Sequence, residues 1–185
     1  VEEYYKVRYT DQQIYLLDYQ RSMEQIIDTA SVNVSGNILS VGVTSDTTGY
    51  LSNETGTIVS FVQSGQLFEY NQNKQTFTKV YGFIDDPTDA RQSYGQHNIR
   101  ILNIDETGNM DFVVYGYMNR GSPEGQCGLA FYRYRRQDNA ISEVFFVPSD
   151  KPYQVMKEEI GTLSYVGNND LFYLMFGNSI YAIDF

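Results

Sequence analysis

Hydrophobic and polar residues alternate with a period of two along most of this chain. Glu3–Tyr9 (EYYKVRY) and Thr57–Gln63 (TIVSFVQ) are clear examples, and stretches rich in Gly, Asn and Ser separate such segments. A period of two places successive side chains on opposite faces of a β-strand, and few windows show the 3.6-residue period of a helix. The pattern predicts an all-β protein made of short antiparallel strands.

The alternating segments also resemble one another in sequence. Ile14–Tyr19 (IYLLDY) returns as Ile180–Phe185 (IYAIDF), and Leu67–Val80 aligns without a gap on Phe131–Val144. Each copy is a strand, and the copies that continue add a polar turn and a second strand. Internal repetition of this kind predicts a stacked or radial β array, in which each unit buries its faces against its neighbours.

We expect one domain, residues 1–185, composed of repeated units that each hold up to four strands, a to d. The units span about 1–30, 38–84, 98–148 and 160–185. The second unit is predicted to begin with a strand at Ile38–Thr44, after a polar connection at Ser31–Asn37. The third is complete, with Pro148 and Pro152 marking its end, whereas the first unit lacks strand a and the last lacks strand d.

Four-stranded antiparallel units of this size are typical of β-propeller blades, and a sandwich built from the same strands is the competing fold. The prediction is a β-propeller-like array of about 3.5 blades, fewer than the usual four to eight or so. The chain begins with Val1 rather than Met. Two explanations stay open for the low blade count. Either the remaining blades of a longer chain complete the propeller, which we favour because an unpaired apolar edge strand is an aggregation hazard, or the incomplete end units supply each other's missing strands.

Composition and charge limit the classes of partner that we expect this chain to bind. The chain has 13 basic and 23 acidic residues and a net charge of −10, which disfavours nucleic acid because phosphate binding draws on clustered Lys and Arg. No window approaches the roughly 18 apolar residues of a membrane-spanning helix, so no membrane insertion is expected. The chain contains one cysteine, Cys127, and one histidine, His97. No catalytic residues are assigned, since a nucleophile needs a base and an orienting partner.

The strongest local motif is a loop of alternating oxygen-bearing side chains with a glycine for the sharp turn. Its candidate ligands are Asn103, Asp105, Thr107, Asn109 and Asp111, with Gly108 at the turn. This loop resembles the FG-GAP/VCBS repeats of β-propeller domains in cell-surface and secreted proteins. The resemblance implies a Ca²⁺ site, the only cofactor expected, because hard cations take oxygen ligands. The alternative is an Asx turn in which Asp and Asn cap backbone amides.

A weaker copy of this loop lies in the second unit. Asn53-Glu54-Thr55-Gly56 matches Asp105-Glu106-Thr107-Gly108 at a spacing of 52 residues, and Asn168-Asn169-Asp170 matches only the end of the loop.

An insertion in the third unit is the candidate binding loop. The two loop copies lie 52 residues apart but the two hairpins lie 64 apart, which leaves twelve extra residues around Asn119–Gly128. Inserted loops on a rigid scaffold often carry binding specificity, although a tolerated surface insertion is the alternative. The binding residues predicted here are Asn119, Arg120, Glu124 and Gln126.

The acidic stretch around Asp85, Asp86 and Asp89 supports a competing function. Paired carboxylates act as acid and base in glycoside hydrolysis, and a turn or solvated role is the alternative for the same residues. The main hypothesis is a non-catalytic extracellular or cell-surface module, of bacterial-envelope type, that binds a protein or a glycan through its loops. A glycan-cleaving enzyme and a purely structural module of a larger envelope protein are the two alternatives.

Overall fold

The computed structural model describes residues 2–23, 27, 32–35, 38–42, 49–85, 89, 92, 94–167, 171–176 and 178–184. The backbone separates into two compact units, Val1–Thr44 and Ser45–Phe185. Each unit is described by itself. The described residues confirm an all-β protein with antiparallel sheets and one helix.

The Val1–Thr44 unit contains two antiparallel pairs of strands. Strand β1 (Glu2–Tyr9) pairs with β2 (Ile14–Ser22), with a bulge after Lys6, and β3 (Asn33–Ser35) pairs with β4 (Ile38–Ser40). The predicted polar connection at 31–37 was wrong, because it contains β3. The strand predicted at Ile38–Thr44 is therefore half of a local hairpin rather than the first strand of the next sheet.

The Ser45–Phe185 unit contains three antiparallel sheets in chain order. Two have four strands and the third has three. The first sheet holds β5 (Tyr50–Ser52), β6 (Ile58–Gln63), β7 (Gln66–Asn71) and β8 (Thr76–Tyr81); the second holds β9 (His97–Ile104), β10 (Met110–Tyr117), β11 (Cys127–Arg135) and β12 (Ala140–Pro148); the third holds β13 (Ser164–Val166), β14 (Leu171–Phe176) and β15 (Ser179–Asp184). Within the ranges that the structure describes, these sheets do not close into a barrel or a ring.

The β7–β8 and β11–β12 hairpins share their irregularities at aligned positions. Val80 and Val144 are the residues skipped by the strand pairing in the two hairpins. Each turn has four residues, and its last residue, Gln75 or Asn139, has a left-handed φ of 51° or 48°. A bulge and a left-handed turn residue both depend on the local sequence, so the two hairpins are the same structural unit in detail.

The strands β9, β10 and β11 are covered on both faces, whereas the edge strand β12 is largely exposed. One face packs against β5–β8 and the other against β13–β15 together with the helix. The first core includes Ile58, Leu67, Val80, Phe112, Val114 and Tyr132. The second core includes Val113, Leu129, Phe131, Met156, Ile160 and Phe172. Alternation along β10 thus sends Phe112 and Val114 to one core and Val113 to the other, as the period of two requires.

A helix that the sequence did not reveal covers part of the second core. Helix α1 (Tyr153–Thr162) begins directly after Pro152, whose φ of −60° leads into the first turn. Its Met156 and Ile160 lie one turn apart and are fully buried. A helix of 10 residues with so few buried positions leaves a weak periodic signal, and only its proline boundary was predicted.

Candidate functional site

The predicted calcium loop is the β9–β10 turn, and the carboxylate of Asp105 organises it. Asp105 Oδ1 accepts hydrogen bonds from Thr107 N (2.8 Å), Thr107 Oγ1 (2.7 Å) and Asn109 N (2.9 Å). Asp105 Oδ2 accepts from Asn109 Nδ2 at 2.8 Å. Burial alone would raise the pKa of Asp105, but these donors outweigh it and lower that pKa. This is the geometry of an Asx turn that holds a carboxylate ionised.

The other predicted ligands also have partners within the chain. Asn109 Oδ1 accepts from Arg136 N at 3.1 Å, and Asp111 forms an ion pair with Arg133 (Nε to Oδ1, 2.8 Å). Asn103 lies opposite Asp111 in the β9–β10 ladder. Among the described residues, no three His, Cys, Asp or Glu side chains are grouped to hold a metal ion. Calcium binding by this loop stays a prediction.

Glu106 of the same turn joins the two four-stranded sheets. Its carboxylate accepts hydrogen bonds from Thr55 Oγ1 (2.7 Å), Thr55 N (3.1 Å) and Asn53 Nδ2 (3.0 Å) in the β5–β6 turn. The hydrogen bonds from Thr55 are the main reason that the pKa of Glu106 is lowered. The two loops that match in sequence are thus docked on one another. Sequence comparison detected their similarity but not their contact.

A buried ion pair lies below this turn. Arg136 Nε is 3.2 Å from Glu69 Oε1, and the Glu69 side chain is 1% exposed. Arg136 also donates to Thr76 Oγ1 at 3.0 Å. Glu69 Oε2 is buried and has no hydrogen-bond partner in the described part of the chain. Burial accordingly raises the pKa of Glu69, and Arg136 opposes that rise.

The inserted loop is compact and closes on itself. It runs from Met118 to Gln126, between β10 and β11, and Met118 N donates to Gln126 O while Gly125 N donates to Met118 O, both at 2.8 Å. Within the loop, Pro123 is buried, and Glu124 and Gln126 are exposed. The equivalent β6–β7 connection is only Ser64-Gly65. The insertion therefore lies near the predicted place, although Cys127 and Gly128 belong to β11 rather than to the loop.

Arg120 of the inserted loop forms an ion pair with Asp85, which also contacts Lys79 Nζ at 3.1 Å. The hydrogen bond from Lys79 is the main cause that lowers the pKa of Asp85, and Arg120 adds to it. A carboxylate held between two cations stays ionised at neutral pH. Asp85 is therefore poorly suited to be the general acid of a glycosidase, and Asp86 lies outside the described residues.

Gln92 connects this ion pair to the rest of the loop region. Its Oε1 accepts from Asp85 N at 2.8 Å, its Nε2 donates to Asp89 Oδ2 at 3.4 Å, and its carbonyl accepts from Asn119 Nδ2 at 3.4 Å.

Two tyrosines lie close to these residues in sequence, Tyr94 after Gln92 and Tyr117 before Asn119. Tyr94 and Tyr117 meet edge to face with ring centroids 5.2 Å apart, and Tyr94 is half exposed. We call this set the rim cluster: Lys79, Asp85, Gln92, Tyr94, Tyr117, Asn119 and Arg120. Sequence reasoning had singled out the inserted loop and the acidic stretch separately, and the structure brings them together.

The surroundings of His97 indicate a structural role. It is 8% exposed, its Nε2 lies 2.9 Å from Gly65 O, and its ring meets Phe83 edge to face at 4.5 Å. Because a carbonyl can only accept, Nε2 carries the proton. Nδ1 is buried and has no partner among the described atoms. Burial lowers the pKa of His97.

No protein-family model matches this chain, and no curated protein or solved structure matches it. The resemblance to FG-GAP/VCBS repeats therefore rests on the residues of the β9–β10 turn. No helix in the described ranges is long and apolar enough to cross a membrane.

Proposed function

We propose that this chain is a non-catalytic binding module that holds a protein or a glycan at the rim cluster. The observation that carries the proposal is that the inserted loop meets the segment before β9, through the ion pair of Arg120 with Asp85 and the hydrogen bond from Asn119 Nδ2 to Gln92 O. A loop held by such contacts on a rigid sheet is preorganised, so less conformational entropy is lost on binding.

The chemistry of the rim cluster fits this role. Tyr94 and Tyr117 offer aromatic surface, which stacks on sugar rings or fills protein interfaces. Asn119 and Arg120 are half-buried, and Glu124 and Gln126 are exposed beside them. The negative charge of Asp85 is compensated by Lys79 and Arg120. This favours recognition by shape and hydrogen bonds over attraction of a highly charged ligand.

We further propose that the four-stranded sheets are blades of a propeller-like array in an extracellular or cell-surface protein. The shared bulges, the shared turn geometry and the docking of the two matched turns support repeated blades. The localisation follows from the FG-GAP/VCBS resemblance together with the acidic, tyrosine-rich composition. In this proposal the remaining blades belong to a longer chain.

The test is to screen the purified chain on a glycan array and, separately, on an array of extracellular protein domains. Arg120→Ala and deletion of 119–126 should each weaken the binding that the screen detects. Arg135→Ala is the matched control, because Arg135 also forms an exposed ion pair, with Asp138 at 3.7 Å, but lies at the opposite end of β11. Binding that survives both loop changes, or release of sugar from the glycans, would overturn the proposal.

A further inference from the structure

The β1–β2 ribbon has one apolar face and one polar face. Residues paired across an antiparallel ladder share a face, and successive residues alternate. The first face, which we call the Tyr5 face, pairs Tyr5 with Tyr19, Val7 with Leu16 and Tyr9 with Ile14. The second, the Lys6 face, pairs Tyr4 with Gln20, Lys6 with Asp18 and Arg8 with Tyr15.

The side chains of the Tyr5 face are exposed to solvent. All six of its side chains are exposed, from 44% for Tyr19 to 73% for Tyr9. In strands β10 and β11, by contrast, the apolar residues of both faces are buried by neighbouring layers. A two-stranded ribbon is only marginally stable by itself in water, so an apolar face of this size is typical of one that another layer covers.

The charges at the end of this face are already compensated. Glu3 accepts hydrogen bonds from Tyr5 OH (2.6 Å) and Tyr19 OH (3.1 Å), and Arg21 Nε lies 3.4 Å from its carboxylate. A charged partner would therefore find no unpaired charge to recognise. The complementary surface is another uncharged, apolar face of a β-layer with the same length.

A second copy of the chain supplies such a surface. Aromatic side chains bury about 150–250 Å² each when fully covered, and the aliphatic Val7, Ile14 and Leu16 bury less, so the exposed parts of the six side chains contribute about 500 Å² per copy. Two copies bury about 1,000 Å² in total, which is the least that a biological interface should clear and fits a weak dimer. A twofold axis needs only one self-complementary patch, because the same residues meet on both sides.

We propose that the Tyr5 face is a dimer interface, in which two copies of this chain pack their β1–β2 ribbons face to face as a two-layer sandwich. The interface shares no residue with the rim cluster, so either proposal can fail without the other. The chain carries a net charge of −10. Raising the ionic strength should therefore strengthen the dimer by screening the repulsion between two acidic copies.

Sedimentation velocity of the whole chain, from low micromolar to sub-millimolar concentration, tests the proposal. The wild type should form a dimer that dissociates on dilution. Tyr19→Asp, on the Tyr5 face, should weaken dimerisation by about tenfold or more, because it buries an unpaired carboxylate. Tyr15→Asp is the matched control: it is the same change in the same strand, at 45% exposure against 44%, but on the Lys6 face.

Cross-linking provides a second test that leaves the apolar residues around the new thiol intact. In a Cys127→Ser background, Val7→Cys should be joined to its copy by a short bis-maleimide, and Lys6→Cys should not. A monomer at every concentration would overturn the proposal, and so would equal effects of Tyr15→Asp and Tyr19→Asp. A monomer in which the Val7→Cys thiol resists alkylation would show that the same chain covers the face instead, which also overturns it.

Discussion

Replacing the cation Arg136 with an uncharged residue of similar volume should strongly destabilise the Ser45–Phe185 unit. Its guanidinium compensates Glu69, which is 1% exposed, and the Arg136 side chain is itself only 13% exposed. Arg136→Met keeps the volume of the side chain but leaves a buried carboxylate without a counter-charge. Breaking a buried pair in this way typically costs about 3–5 kcal/mol of the free energy of unfolding.

The adjacent Arg135 is the control. It pairs with Asp138 at 3.7 Å, and both side chains are about 60% exposed (62% and 59%). Exposed pairs contribute about 0–1 kcal/mol, so Arg135→Met should change stability little. For a chain of this size a loss of about 3 kcal/mol lowers Tm by about 6–12 °C. Urea unfolding followed by tyrosine fluorescence and far-UV circular dichroism measures the difference between the two variants.

The pKa of Glu69 determines how the loss of stability in Arg136→Met changes with pH. Burial raises the pKa of Glu69 in the folded protein. Its contribution to stability is therefore complete at pH values below the unfolded pKa and is lost as pH rises through the folded pKa. Arg136→Met should raise the folded pKa further, so the variant should be closest to wild type near pH 5 and weakest near pH 7.5. Adding Glu69→Gln should restore most of the loss. Equal losses for Arg136→Met and Arg135→Met, or no rescue by Glu69→Gln, would refute the assignment.

Three further predictions test individual positions. Gly116 has a φ of 122°, and an added Cβ would lie 2.3 Å from the carbonyl oxygen of Gln96, whereas Gly125 has a φ of 85° and open space around it. Gly116→Ala should therefore lower the free energy of unfolding by about 1 kcal/mol more than Gly125→Ala does, or by a larger margin. Equal losses in the two variants would contradict this. Burial lowers the pKa of His97, so the contribution of His97 to stability is present above the unfolded pKa and is lost as pH falls through the folded pKa. Between pH 7 and 5, the wild type should therefore lose resistance to urea more steeply than His97→Gln. Parallel curves for the two proteins would count against this prediction. Asp105→Asn replaces Oδ2 with an amide nitrogen that faces another donor, Asn109 Nδ2, and should lower the free energy of unfolding by about 1 kcal/mol even in EDTA. If the variant were less stable than the wild type only when Ca²⁺ is added, the carboxylate would be assigned to a cation instead.

The strands of the second four-stranded sheet were predictable because each is long and alternates. The alternating segment Ile99–Ile104 lies within β9 (His97–Ile104), and Leu129–Arg135 lies within β11 (Cys127–Arg135). Tyr50–Ser52 was missed because three residues are too few to show a period, and this strand exists through its pairing with β6. Helix α1 was missed for a related reason, since only its packing on β10 and β14 distinguishes it from a loop.

The candidate site was predictable in its parts and not in its assembly. The β9–β10 turn and the insertion at 118–126 lie where the sequence placed them. The partners of Asp105 within its own turn also follow from the local spacing of Thr107 and Asn109, because Asx turns are short-range. The sequence could not reveal that Glu106 would dock on Thr55, 51 residues away, or that Arg120 would meet Asp85, 35 residues away.

The sequence by itself determined the β class and the repeated hairpin, because these depend on alternation and on turn preferences within a few residues. Only the tertiary structure decided which charges are compensated and which faces are covered. The reason is that Glu69 and Arg136, like the apolar residues of β10, find their partners across stacked sheets, and stacking depends on the whole chain. The Tyr5 face has the same local pattern as the buried faces, and only its surroundings make it exposed.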